Sequence, residues 1–96
     1  VGRARKLKVY GWTGYRRDCP PAPNGNRQTR EIVATTSKKE AARLVDPERS
    51  WMRPPVSEID ETGNAAEIEL ATANPGVVFW CPIDESYRGA AQWRRA

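Results

Sequence analysis

Residues 30–44 read REIVATTSKKEAARL, and the pattern changes character within them. Arg30 to Thr36 is rich in β-branched side chains (Ile32, Val33, Thr35, Thr36), which fit a pleated, half-buried strand. Ser37 and Glu40 then stand in S-x-x-E spacing. In that spacing a hydroxyl and a carboxylate can each satisfy a free backbone N–H at a helix start. Beyond it, Ala41, Leu44 and Val45 fall on one helical face, while Lys38, Lys39 and Arg43 fall on the other. A strand passing directly into a capped helix sets an α+β reading. Asp46-Pro47 is expected to end the helix.

Upstream, Lys6 to Trp12 alternates. Leu7, Val9 and Gly11 point one way and Lys8, Tyr10 and Trp12 the other, which predicts a strand ending at Gly14. Residues 13–29 concentrate Pro20, Pro21, Pro23, Asn24, Gly25 and Asn26, and so predict a long loop turning at Asn24-Gly25. Downstream, Trp51 and Met52 are expected to fold back over the core. Pro54-Pro55 blocks regular pairing, and Val56 to Asp60 could form a short edge strand. Asn64 with Glu67 repeats the capping logic. The helix it opens carries Ala65, Ile68, Leu70, Ala71 and Ala73, and Asn74-Pro75-Gly76 stops it. Val77 to Cys81 is apolar at every position, the mark of a strand covered on both faces.

The expected fold is therefore α+β, a small three- to four-stranded sheet with two helices packed on one face. Residues 1–5 would be a basic arm, 6–83 a single domain and 84–96 a polar tail, with Tyr87 and Trp93 as its anchors. The expected core is Val9, Ile32, Val33, Leu44, Ile68, Leu70, Val78 and Phe79.

Composition bounds the function. Ninety-six residues allow one domain. Leu, Ile, Val and Phe total only fifteen, so the core is thin, but a net charge of +4 is too small to drive disorder. There is no histidine, which excludes Ser-His-Asp triads, Cys-His pairs and His-ligated metals. No apolar run is long enough to span a membrane. No apolar segment follows the basic start, so no secretion signal is expected. Cys19 and Cys81 form no C-x-x-C pair and cannot alone hold a structural zinc. Both are expected as free thiols in a reducing compartment. Cys81, after Val77-Val78-Phe79-Trp80, is expected to be buried. Cys19, beside Arg16 and Arg17, is the thiol whose pKa could be lowered.

Charge is uneven along the chain. Residues 1–30 hold eight basic residues against Asp18 alone, whereas 51–75 hold Arg53 against five acids. The basic end is the first candidate site. Arg3, Arg5, Lys6, Lys8, Arg16, Arg17, Arg27 and Arg30 could line phosphates, and Trp12, with Tyr10 and Tyr15, could stack on bases as single-strand binders do. The opposing expectation is that Tyr10 and Trp12 are core, with the arginines lying around them. The second candidate is a protein-binding patch, because Trp, Tyr and Arg dominate interface hot spots. Glu58, Asp60 and Glu61 with Glu67 and Glu69 could in principle hold a catalytic metal, but such a run is ordinarily a solvated edge.

Three pieces resemble small uncharacterised proteins encoded by phages of mycobacteria and related actinobacteria. They are VYGWTGYRRDCPPAPNGNRQTREIVA (9–34), SKKEAAR (37–43) and TGN (62–64) with ATANPGVVFW (71–80). The resemblance implies an accessory protein acting in the cytoplasm of the bacterial host, and it brings no catalytic residues. The expectation is thus a non-enzymatic protein without cofactor or membrane association. It would bind nucleic acid through the basic third and long loop or, alternatively, bind and modulate a host bacterial protein through exposed aromatic and Arg residues.

Overall fold

A computed structural model describes residues 7–20, 27–45, 50, 53–89 and 91–96. The basic arm with Arg3, Arg5 and Lys6, the Asn24-Gly25 turn, Asp46-Pro47, and Trp51 and Met52 lie outside the described residues. Five strands form one antiparallel sheet: β1 (Lys8–Tyr15), β2 (Gln28–Thr35), β3 (Asp60–Glu61), β4 (Phe79–Pro82) and β5 (Arg94–Arg95). Their order across the sheet is β3-β1-β2-β4-β5. Helix α1 (Lys38–Arg43) follows β2, α2 (Ala65–Ala73) precedes β4, and the short α3 (Ile83–Tyr87) follows it.

The register sorts the sheet's side chains. Tyr10 opposes Val33, Trp12 opposes Glu31, and Glu31 in turn opposes Trp80. These residues share the first face, where Tyr10, Trp12 and Val33 pack with Ala41, Ala42, Val45, Ile59 and Val78. Val9 opposes Ala34 and Ile32 opposes Phe79, which places them on the second face against Ala71 of α2, with Leu70, Val77 and Trp93 partly buried beside them. The two helices therefore cover opposite faces, not one. The reason lies in β2, where Ile32, Val33 and Ala34 are all buried. Successive residues of a strand point to opposite sides, so an unbroken apolar run needs cover on both.

The sheet also has more strands than expected. Within the expected tail, β5 pairs with β4 and Ala96 N–H donates to Val78 O at 2.9 Å. Trp93 packs partly against the second core, whereas Tyr87 is 83% exposed and anchors nothing. Val56–Glu58 is a 3-10 turn rather than part of an edge strand, with N–H donors from Glu58 to Pro55 O and from Ile59 to Val56 O. Proline cannot donate to a ladder, so pairing with β1 begins only after the turn, at Asp60. Ile59, fully buried, pins that passage to the core.

Of the expected core, Val9, Ile32, Val33, Val78 and Phe79 are buried, Leu44 and Leu70 are half-buried, and Ile68 stays 38% exposed. Alanine is the contact residue of both helices, and Ala41 and Ala71 are fully buried. Small side chains bring each helix close to the sheet, which suits a chain with few aliphatics.

Both caps form. Glu40 N–H donates to Ser37 Oγ at 3.1 Å, and Glu67 N–H donates to Asn64 Oδ1 at 3.0 Å. The carboxylates do not reach back as in a full capping box. Glu40 pairs with Arg43, and Glu67 is engaged by Arg30 and Thr62. Ser37→Ala is expected to lower stability by about 0.5–2 kcal/mol, measured by urea unfolding. Ser37→Asp, which preserves the acceptor, should recover most of it.

Candidate binding groove at the open end of the sheet

Among the described residues, Arg16 and Arg30 lie on opposite faces of the sheet and do not share one surface. Arg16 extends β1 by a single bridge to Ser50 and is 1% exposed. Its Nε and Nη2 donate to the Asp18 carboxylate at 2.9 and 3.2 Å, and its Nη1 lies 3.7 Å from Glu31 Oε1. The guanidinium sits 4.7 Å from the centre of the Trp80 ring, and the Arg94 guanidinium sits 5.2 Å from that ring. Glu31 is equally buried and accepts a hydrogen bond from Thr29 Oγ1 at 2.9 Å. Burial pushes the Glu31 carboxyl above its ordinary pKa, outweighing the Thr29 hydrogen bond and the charge of Arg16. Gly14 lies under this group, and a Cβ there would fall on Glu31 Oε2. The small residue is required by that close approach.

Arg30 is committed on the other face. Its Nε and Nη2 donate to the two oxygens of Glu67 at 3.0 and 2.9 Å, joining β2 to α2 across Gly11. Thr62 Oγ1 donates to Glu67 Oε1 at 2.6 Å. Burial raises the Glu67 carboxyl more than any other single influence. The hydrogen bonds from Arg30 and Thr62, with the Arg30 charge, together overcome it and hold the pKa below the ordinary value. A lowered carboxyl contributes stability that is present above its unfolded pKa and lost as pH falls through the folded one. Glu67→Gln should therefore flatten the acid-side loss of stability, seen in urea unfolding from about pH 7 to about pH 3. Glu31, shifted the other way, opposes that trend, so Glu31→Gln should steepen it.

The remaining candidates divide as follows. Trp12 is buried at 1% exposure and offers no stacking face. Lys8 is exposed but pairs with Glu61 at 3.6 Å. Tyr15 is 39% exposed at the end of β1. Arg17 is exposed, and Arg27, half-buried, donates from Nη1 to the Arg17 carbonyl at 3.0 Å. Cys19 is buried, and burial raises its thiol pKa despite Arg94 and Arg27, opposite to the lowering expected beside Arg16 and Arg17. Burial also pushes Cys81 up to about 12. Among the described residues, no three Asp, Glu or Cys side chains are grouped to hold a metal ion, and no helix is long and apolar enough to cross a membrane.

Tyr15 borders a depression at this end of the sheet. Helix α2 covers the second face near Val9, Ile32 and Ala34, and the Arg30–Glu67 pair covers the next stretch. Thr13 and Tyr15 are left exposed beyond it, and Gln28 half-exposed. With Gly14 they form one side of a groove of about 410 Å³ whose other side is Pro54, Pro55 and Glu58. Pro54 is buried and Pro55 exposed, so the prolines make a firm apolar wall. Sequence reasoning found Tyr15, took Glu58 only as part of an acidic run, and missed Thr13, Gln28, Pro54 and Pro55 as site residues. The proline pair was legible only as an interruption of pairing. On that edge of β1, among the described residues, β3 pairs only with Tyr10 and Gly11, and the groove lies beside Thr13 to Tyr15. No family model, no curated protein and no solved structure matches the chain.

Proposed function

We propose that the protein is a non-enzymatic binding domain that engages a protein partner through the Tyr15–Pro54–Pro55 groove. One observation carries this reading. Arg16, Arg30 and Lys8 are held in ion pairs and Trp12 is in the core, while the open groove is walled by Tyr15 and two prolines and has a carboxylate, Glu58, in its lining. A phosphate backbone needs a continuous run of free cations, and a carboxylate in its path repels it. A protein side chain gains instead from an aromatic and proline wall. With the phage resemblance, the partner is a host bacterial protein met in the bacterial cytoplasm.

The test is affinity capture from actinobacterial lysate, with and without nuclease, using the wild type and Tyr15→Ala. The expected result is a captured protein that survives nuclease and is lost with Tyr15→Ala. Direct titration of single- and double-stranded oligonucleotides should give no binding. Binding to duplex DNA whose log K falls with log salt at a slope of about −5 would mean some six phosphates neutralised, and would replace this reading with the nucleic-acid one.

A further inference from the structure

The two outer strands of the sheet carry opposite charge. β3 is Asp60–Glu61 and β5 is Arg94–Arg95, and they stand at the two ends of the order β3-β1-β2-β4-β5. Charge on a short edge strand ordinarily guards it against pairing with another chain. Here that guard holds only between like edges. Two β3 edges would set acid against acid, and two β5 edges arginine against arginine. β3 against β5 sets opposite charges across the pair, which is stabilising.

The backbone register fits the unlike pairing. In an antiparallel ladder, alternate residues turn their N–H and C=O toward the same neighbour. Thr62 N–H donates to Val9 O, so Asp60 and Thr62 face β1 and Glu61 between them presents its N–H and C=O outward. At the far edge Ala96 N–H donates to Val78 O, and Arg95 faces outward by the same alternation. Among the described residues, no backbone bond is made to either outward pair.

The side chains agree. Glu61 opposes Tyr10 on the first face, and Arg95 opposes Phe79 on the second, its guanidinium 5.9 Å from the ring centre. Directly opposed residues share a face, so a copy bringing Arg95 to Glu61 must be turned over, which also makes the new pair antiparallel. The present partners leave capacity. Glu61 Oε1 lies 3.6 Å from Lys8 Nζ, with both side chains exposed, and Arg95 Nη2 donates at 3.1 Å to the neutral Asn74 Oδ1. Of the flanking charges, Asp60 lies 3.9 Å from Lys38 and Arg94 3.7 Å from Glu85.

We propose that the β3 edge pairs with the β5 edge of a second copy of this chain, Glu61 opposite Arg95 of that copy. The contact joins two different edges, so copies add head to tail in an open chain. The proposal stands apart from the groove, and failure of either reading leaves the other in place.

Sedimentation velocity tests it. At low salt the weight-average mass should rise with protein concentration above the 10.8 kDa of the monomer. The rise should be lost between about 0.02 M and about 0.5 M salt, which screens exposed charges. Glu61→Arg and Arg95→Glu should each weaken association roughly tenfold by setting like charges opposite. An equimolar mixture of the two variants should recover it, because each then offers the other an oppositely charged edge. If either reversal does not fold, Glu61→Gln and Arg95→Gln should still weaken association roughly threefold. A monomer up to about 1 mM protein would overturn the proposal. So would assembly indifferent to salt or to these substitutions, or a mixture no better than its components.

Discussion

Arg16→Ala should cost about 3–5 kcal/mol of folding stability, the range for removing one member of a buried ion pair. That is a large share of a small domain's margin of about 5–15 kcal/mol. The loss has two sources. Glu31 would stay buried with only Thr29 to satisfy its charge, and the Trp80 ring would lose a guanidinium lying over it. Asp18 would also lose its two hydrogen bonds from Arg16. Arg17→Ala, one residue on and exposed, should change stability by no more than about 0.5 kcal/mol. Urea unfolding of the two variants beside the wild type measures the difference. Equal small effects would mean that Arg16 is not the buried node described here. Arg16→Ala combined with Glu31→Gln should cost less than Arg16→Ala alone, because no uncompensated carboxylate would remain.

Trp12→Ala should be comparably damaging, again about 3–5 kcal/mol, through the transfer and cavity terms of a large buried side chain. Trp12 is the largest fully buried side chain on the first face, packed in the cluster that joins β1 and β2 to α1 and Ile59. Trp12→Phe should be far milder. The indole Nε1 has no hydrogen-bond partner among the described residues, so phenylalanine removes an unsatisfied donor while keeping most of the apolar volume. Thermal unfolding of the three proteins should rank wild type and Trp12→Phe close together, with Trp12→Ala far below. A Trp12→Ala protein that melts near the wild type would place that ring at the surface and reopen the stacking role on nucleic acid.

These two residues show what was readable and what was not. Trp12 alternates with Tyr10 along a strand, so its face was legible, but whether that face met solvent or a helix was not. The answer depended on α1 and α2 taking opposite sides. Even that was implicit in the run Ile32-Val33-Ala34, which leaves β2 no face for water. The caps at Ser37 and Asn64 were legible because they act within four residues. Arg16 was not, because its partners Glu31 and Trp80 come from β2 and β4 and meet it only through the register Trp12–Glu31–Trp80. A charged run in sequence says nothing about which charges the fold will pair. β5 was invisible for a similar reason. Two arginines carry no strand preference, and β4 is the strand they pair with. Ile68 failed as a core residue because alanine at position 71 already brings α2 against the sheet, leaving the longer side chain outside the contact.

The division of one basic segment into structural arginines and a small binding edge is tested most directly by photocrosslinking. A benzoylphenylalanine placed at Tyr15 should yield, in actinobacterial lysate, a discrete adduct that protease removes and nuclease does not. The same group at Ile68, equally exposed on α2 but away from the groove, should yield none. An adduct removed by nuclease, or the same adduct from both positions, would contradict the account.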